Sequence, residues 1–199
     1  FTDDDCFPAS DWLTELAGCF SKYPAHGVGG RTVNGLDNNP YSAFSQMIID
    51  AAYRRYNEAP GGASFFASNN LAVPAEAFRA VGGFDPDFLA SEDREFCDRW
   101  LHNSGRLAYA PRAVVYHANN LSLLSFCRQH FNYGRGAFRF YRARAGRGTG
   151  GYTPDAGFYR GLLRRPCNSA RGGAGIRDEL LRFLLLALWL AVNTLGFGS

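Results

Sequence analysis

The pattern of apolar and polar positions along this chain predicts short helices alternating with short extended runs. Over residues 10–23, Leu13, Leu16, Ala17 and Phe20 follow a helical period, and Ser10 or Asp11 can cap the helix. Residues 27–33 read as a turn into a short strand, and 34–40 as loop chemistry around a single leucine. A second helix is expected over about 41–57. Gly61-Gly62-Ala63-Ser64 opens a flexible loop, and Phe65-Phe66-Ala67 begins a strand. Residues 74–81 look helical, with Pro74 near the first turn. Residues 92–103 form a further helix, with Phe96 and Trp100 on one face and Gly105 just past its end. Residues 107–117 read as one or two strands broken at Pro111.

The C-terminal third changes character. Residues 119–144 are rich in arginine and aromatics, 146–151 form a linker with four glycines, and 152–175 are rich in Gly, Pro and Arg. Residues 178–195 are a strongly apolar helix candidate, with ten unbroken apolar residues over 183–192. A full membrane span needs about 20 such residues. A truncated transmembrane helix, an in-plane anchor and a buried terminal helix all fit this pattern. No internal repeat occurs, and the alternation of elements points to an α/β fold.

Charge sharpens the division. Residues 1–100 carry 15 acidic and 7 basic side chains, net −8, whereas 101–199 carry 3 acidic and 14 basic, net +11. The acidic half suits a cation, and the basic half suits phosphates on a nucleotide, a lipid or a nucleic acid. Of the 21 basic residues 20 are arginine, the better bidentate phosphate ligand. The five cysteines include no C-x-x-C spacing, which argues against a zinc site or a disulfide framework and for a reducing compartment.

Three stretches carry candidate chemistry. Asp3-Asp4-Asp5 crowds like charges that a cation would relieve, and hard oxygen ligands favour Mg²⁺ or Mn²⁺; a solvated acidic turn is the alternative. Val81-Gly82-Gly83-Phe84-Asp85 is a glycine turn with an apolar plug, followed by Glu92-Asp93 at a helix start, where the helix dipole alone favours acids. Val114-Val115-Tyr116-His117 ends a strand on a histidine.

In that order, an acidic triplet, GGFD with a Glu-Asp pair and a histidine after a strand resemble the family 2 glycosyltransferases of the GT-A fold, over roughly residues 1–145. The resemblance implies a partial GT-A, Rossmann-like α/β fold with a C-terminal helical, membrane-associated extension, the family's nucleotide-binding strands lying upstream of Phe1. It implies segments of 1–118 (catalytic), 119–145 (basic interfacial helix), 146–175 (linker) and 176–199 (apolar helix). It also implies inverting, metal-dependent transfer of a sugar from a nucleotide-diphosphate sugar to a hydroxyl of a lipid-linked or cell-surface glycan. In this reading Asp3 and Asp5 hold Mn²⁺ or Mg²⁺ with His117, and Asp4 lies beside the donor. Asp93 is the general base, and Glu92 positions it. Asn69 and Asn70 sit where the family often has a Gly-x-Asn or Gly-Ala-Asn stretch that contacts the donor, although Ser68 replaces the glycine.

Arg128, Arg135, Arg139 and Arg142, spaced 7, 4 and 3 apart, share one face if that segment is helical, and Gly134 and Gly136 are potential breaks in it. Arg128 and Arg135 are expected near the donor diphosphate, or the stripe rests on an anionic membrane at its cytoplasmic face. The rival functions are metal-dependent nucleotidyl or phosphoryl transfer, and a membrane-surface binding module without catalysis. No nucleic-acid motif accompanies the basic half, and the acidic half repels a polyanion, so nucleic acid is not expected as a partner.

Overall fold

A computed structural model describes residues 1–36, 38–58, 62–163 and 176–199. Gly61 of the expected loop, residues 164–175 of the expected linker and Cys167 lie outside the described residues.

Among the described residues, four strands form one sheet in the order β1-β4-β2-β3. The central pair, β2 (Gly27–Asn34) and β4 (Leu107–His117), is parallel. At the edges, β1 (Cys6–Pro8) lies antiparallel to β4, and β3 (Leu71–Ala72) antiparallel to β2. Helix α1 (Trp12–Lys22) covers the sheet with Leu16 on Val28, Ala108, Ala110 and Ala113. Asp11 occupies its N-cap position but makes no side-chain cap bond. Helix α2 (Pro40–Asn57) is better terminated: Asn39 Oδ1 accepts from the backbone N–H of Tyr41 and Ser42, both at 3.0 Å.

Pro111 does not break β4. The register passes from Gly30↔Ala110 to Arg31↔Val114, so residues 111–113 form a bulge, where a proline without an N–H is tolerated. Asn70 pins the bulge. It is fully buried, its Nδ2 donates to the carbonyls of Arg31 (3.1 Å) and Ala113 (2.9 Å), and its Oδ1 accepts from Trp12 Nε1 (2.9 Å). Gly30 leaves the room for this, since a Cβ there would sit 2.2 Å from the Ala113 carbonyl oxygen.

The strand expected from Phe65 does not form. Phe66 is fully buried over Gly29, its ring 1.9 Å from where a Cβ would stand, so 65–67 crosses the sheet face instead of joining its edge. A 3-10 turn (Ser68–Asn70) then leads into β3.

Beyond β3, α3 (Ala75–Ala80) and α4 (Glu92–His102) flank the Gly82-Gly83 turn, whose φ values of 87° and 66° require glycine. Phe84 plugs it among Phe78, Phe96 and Phe1, at 5.4, 5.2 and 5.1 Å between ring centroids. The GGFD turn thereby anchors the segment that carries the acidic triplet.

Helix α5 (Leu123–Gly146) opens on a Ser122–Ser125 capping box and runs unbroken through Gly134 and Gly136. Both glycines exist for close approach. A Cβ at Gly134 would lie 2.1 Å from the Asn193 carbonyl oxygen, and one at Gly136 would lie 2.5 Å from that of Ala90. Helix α7 (Ile176–Phe197) answers with Gly196, whose Cβ would meet the Phe131 carbonyl oxygen at 2.0 Å. With α2 and α6 (Ala156–Leu163), these helices share a core of Phe44, Ile48, Phe126, Leu162, Leu185 and Trp189.

The charge asymmetry is partly consumed inside the molecule. Arg147 reaches Glu95 (2.9 Å) and Asp98 (2.8 Å), Arg144 reaches Asp98 (3.2 Å), and Arg139 donates to the Asp87 carbonyl (3.0 Å). Glu95, almost fully buried, is also held by Arg99 at 2.8 Å. These pairs fasten the end of α5 to α4.

Candidate active site

The ends of β1, β2 and β4 converge. His117 pairs with Cys6 on one side and Asn34 on the other, and the Ala118 N–H donates to the Asp5 carbonyl at 2.8 Å. Strand pairing therefore places the acidic triplet against His117. One ligand atom each from Asp3, Asp5, Cys6 and His117 lies within 4.8 Å of the others, and His117 Nε2 is 3.2 Å from Asp5 Oδ2. The residues fit a divalent cation: two carboxylates and an imidazole, with Asp3 held above the usual carboxylate range by its surroundings and by the Asp5 charge. Cys6 is buried, which pushes its thiol up and keeps it protonated, so it is the poorest ligand of the four for a hard ion. Asp4 is exposed and outside the cluster.

A cavity of about 430 Å³ opens beside this cluster, and Asp3, His117, Glu92, Asp93 and Asn69 all line it. Asp93 stands at the first turn of α4, after Ser91 in the left-handed region at φ 66°. The missing Cβ of Gly136 admits Ala90 and the Ser91 side chain, so α5 fixes this turn. The Asp93 carboxylate accepts from its neighbour's backbone N–H, on Arg94, at 2.7 Å. Protein surrounds it and Glu92 sits beside it, and these two causes push its pKa up to about 7. Asp93 keeps some surface and lines the cavity. Ser68 Oγ donates to Glu92 at 3.4 Å.

The two asparagines separate. Asn70 is the brace of the bulge and does not line the cavity, whereas Asn69 does, its Oδ1 accepting from Thr32 Oγ1 at 3.0 Å. Arg128 and Arg135 lie on the exposed side of α5, away from the cavity. The face of α5 that reaches the cavity is Gln129, His130, Tyr133, Ala137 and Tyr141. Sequence reasoning missed this face and Cys6. The spacing of 129, 133, 137 and 141 was the available signal, overshadowed by the arginine stripe on the other side.

A sheet edge bearing clustered carboxylates at the mouth of a helix-walled cavity, with a second carboxylate tuned near neutrality across it, is the layout of an α/β group-transfer enzyme. The sequence model of the family described as "Glycosyl transferase family group 2" matches residues 3–198. The chain belongs to that family and is a glycosyltransferase, and the mixed α/β sheet fits part of a GT-A fold. This sets aside both a module without catalysis and nucleotidyl or phosphoryl transfer. No curated protein matches the chain.

Proposed function

We propose that the protein transfers a sugar, with inversion, from a nucleotide-diphosphate sugar to a hydroxyl of a glycan or lipid-linked acceptor. The observation that carries this reading is the shared cavity: Asp3 and His117 of the carboxylate–imidazole cluster and the Asp93 carboxylate all line it. Asp3, Asp5 and His117 would hold Mn²⁺ or Mg²⁺, which when bound neutralises charge on the departing diphosphate. Asp93 accepts the proton of the acceptor hydroxyl as its oxygen bonds the anomeric carbon and the bond to the diphosphate breaks on the opposite face. A carboxyl with its pKa near 7 is matched to that task at neutral pH. Glu92 and Ser68 hold the approach to it, and Asn69 offers an amide to the donor.

The test is nucleoside diphosphate release from a panel of nucleotide sugars with Mn²⁺ or Mg²⁺, with the anomeric configuration of the product read by NMR. Metal-dependent release from one donor, with an inverted product, supports the reading. A retained configuration, or undiminished turnover in Asp93→Asn, overturns it.

We also infer that the enzyme works at the cytoplasmic face of a membrane, with α7 lying on the surface. Helix α7 is 22 residues long and contains an 18-residue stretch of mean hydropathy 1.9, long and apolar enough to cross a bilayer. Its Leu185, Leu186 and Trp189 are engaged in the core, while Leu180, Leu184 and Leu195 point outward, 59%, 59% and 67% exposed. One face committed to protein and one apolar face left outward suit an in-plane anchor. The cysteines among the described residues are free, which fits a reducing compartment.

A further inference from the structure

Residues 66–69 cross the sheet face as a bracket in which each residue is hooked by a bond of its own. The Phe66 carbonyl accepts from Cys97 Sγ on α4 at 3.6 Å. The Ala67 N–H donates to the Tyr53 hydroxyl on α2 at 3.0 Å. The Ser68 N–H donates to the Asp93 carboxylate, and Ser68 Oγ donates to Glu92 at 3.4 Å. Asn69 Oδ1 accepts from Thr32 Oγ1 on β2 at 3.0 Å. Ser68 opens the 3-10 turn, so its N–H has no partner inside that turn and can serve Asp93.

Tyr53 reaches this bracket from α2. It is 4% exposed, and its ring meets Phe65, Phe66 and Tyr109 edge to face, at 6.0, 5.9 and 6.1 Å between centroids. A phenylalanine would fill the same space, so packing alone does not call for the hydroxyl. Burial pushes the phenol up, so the hydroxyl stays protonated and neutral. An unpartnered hydroxyl among such rings is costly, and the Ala67 N–H answers it. Tyr53 does not line the cavity, so its hydroxyl is placed for the protein and not for a ligand.

We propose that Tyr53 is a positioning residue for Asp93: by holding the Ala67 N–H it aims the next N–H along the chain, that of Ser68, at the base. The inference rests on the reading of Asp93 as base for its effect on turnover, and on the hydrogen bonds alone for the positioning. The two N–H groups flank a single Cα, so releasing the first lets the second drift. An N–H bonded to a carboxylate favours the ionised form, which is the form a base needs. The other groups facing Asp93 are untouched by the loss of the hydroxyl: Glu92, Arg94 and Cys97 on α4, Tyr133 on α5, and Asp3 and His117 across the cavity.

Tyr53→Phe keeps the ring and removes the hydroxyl. Two readouts on the whole chain separate positioning from catalysis. The first is the titration of the Asp93 carboxyl without donor or metal, followed by carbon NMR on labelled aspartate and assigned through Asp93→Asn. The second is the pH profile of kcat/KM for diphosphate release. In Tyr53→Phe the titration midpoint and the acid limb should both move up by about one pH unit. Turnover should fall about tenfold on that limb and recover on the plateau, with the donor KM unchanged. Ser68→Pro deletes the aimed N–H itself, at the first position of a turn preceded by Ala67 at ψ 144°, where proline fits. Read against Ser68→Ala, which keeps the N–H, it should move both readouts the same way, and it keeps the test decisive if Tyr53→Phe does not fold. Tyr109→Phe removes a hydroxyl from the same ring cluster and should move neither. An Asp93 midpoint that stays in place in the folded variant, or that moves equally in Tyr109→Phe, overturns the proposal. A midpoint that moves while the pH profile does not leaves the positioning standing and overturns the reading of Asp93 as base.

Discussion

The two walls of one cavity are built by different means. On the sheet side, Asp3, Asn69, Asp93 and His117 come from distant parts of the chain and are held by backbone pairing, turns and short hydrogen bonds. On the helical side, α5 and α7 contribute rings and one neutral histidine, and the helices are drawn together by missing side chains at Gly134 and Gly196. The sheet wall gathers like charges whose mutual repulsion a cation or a proton relieves. The helical wall excludes charge almost entirely. Charged chemistry belongs where backbone can fix it to within tenths of an ångström, and packed helices close the cavity around it.

The largest effect separating the walls should come from Asp93→Asn. Transfer should fall about 10²–10⁴-fold with nucleotide binding retained, measured by diphosphate release and by calorimetry. In the unsubstituted enzyme kcat/KM should rise with pH to a plateau above an apparent pKa of about 7, because the proposed base must be unprotonated. The same carboxyl carries a stability signature. Its folded pKa is raised above the unfolded value, so the folded state keeps a proton that the unfolded state has lost. Stability should therefore fall as pH climbs from about 4 to about 7. Asp93→Asn removes this decline, and a higher melting temperature than wild type at pH 8 is expected.

Next in size is the cation cluster. Asp5→Ala should cost more than about 100-fold in release and shift the Mn²⁺ titration to higher concentration, whereas Cys6→Ser should move neither strongly. If Cys6→Ser abolishes the metal response, the thiol is a ligand despite its burial.

The helical wall should respond through stability instead. Gly134→Val or Gly196→Val drives a side chain into a backbone carbonyl, costing about 1–3 kcal/mol in urea unfolding and loosening that wall. Gly146→Ala, with open space around its Cα, should cost nothing measurable and serves as the control. The smallest effect should belong to the outer surface. Leu180→Glu with Leu184→Glu should reduce binding to anionic vesicles while leaving turnover on a soluble acceptor near wild type, measured by flotation and by diphosphate release.

How much of this was legible in the chain depends on the range of the interaction concerned. The helices at 12–22, 40–57 and 92–102 were expected from the sequence within a residue or two of their ends, because helix signals act within a few positions, although the capping Asn39 of α2 reads as loop. Asp3, Asp5, Asp93 and His117 stood out through local motifs, and the fold brings all four to one place. Pro111 misled because a bulge, stitched by Asn70 from 41 positions earlier, absorbs it. Gly134 and Gly136 misled because helix propensity is a local quantity, while their purpose is a contact with residues 59 positions later or 46 earlier.

The sequence by itself determined the helices up to His102, which acids crowd together and that the two halves carry opposite charge, but not α6, which lies within the stretch expected to be a linker. Only the tertiary structure decided that α5's arginines turn to α4 and the surface while its aromatic face turns to the cavity, and that Asn70 braces and Asn69 reaches the site. The physical reason is the range of the forces. Propensity and charge density are set by neighbours in sequence, whereas orientation and desolvation are set by neighbours in space, which the chain acquires only on folding.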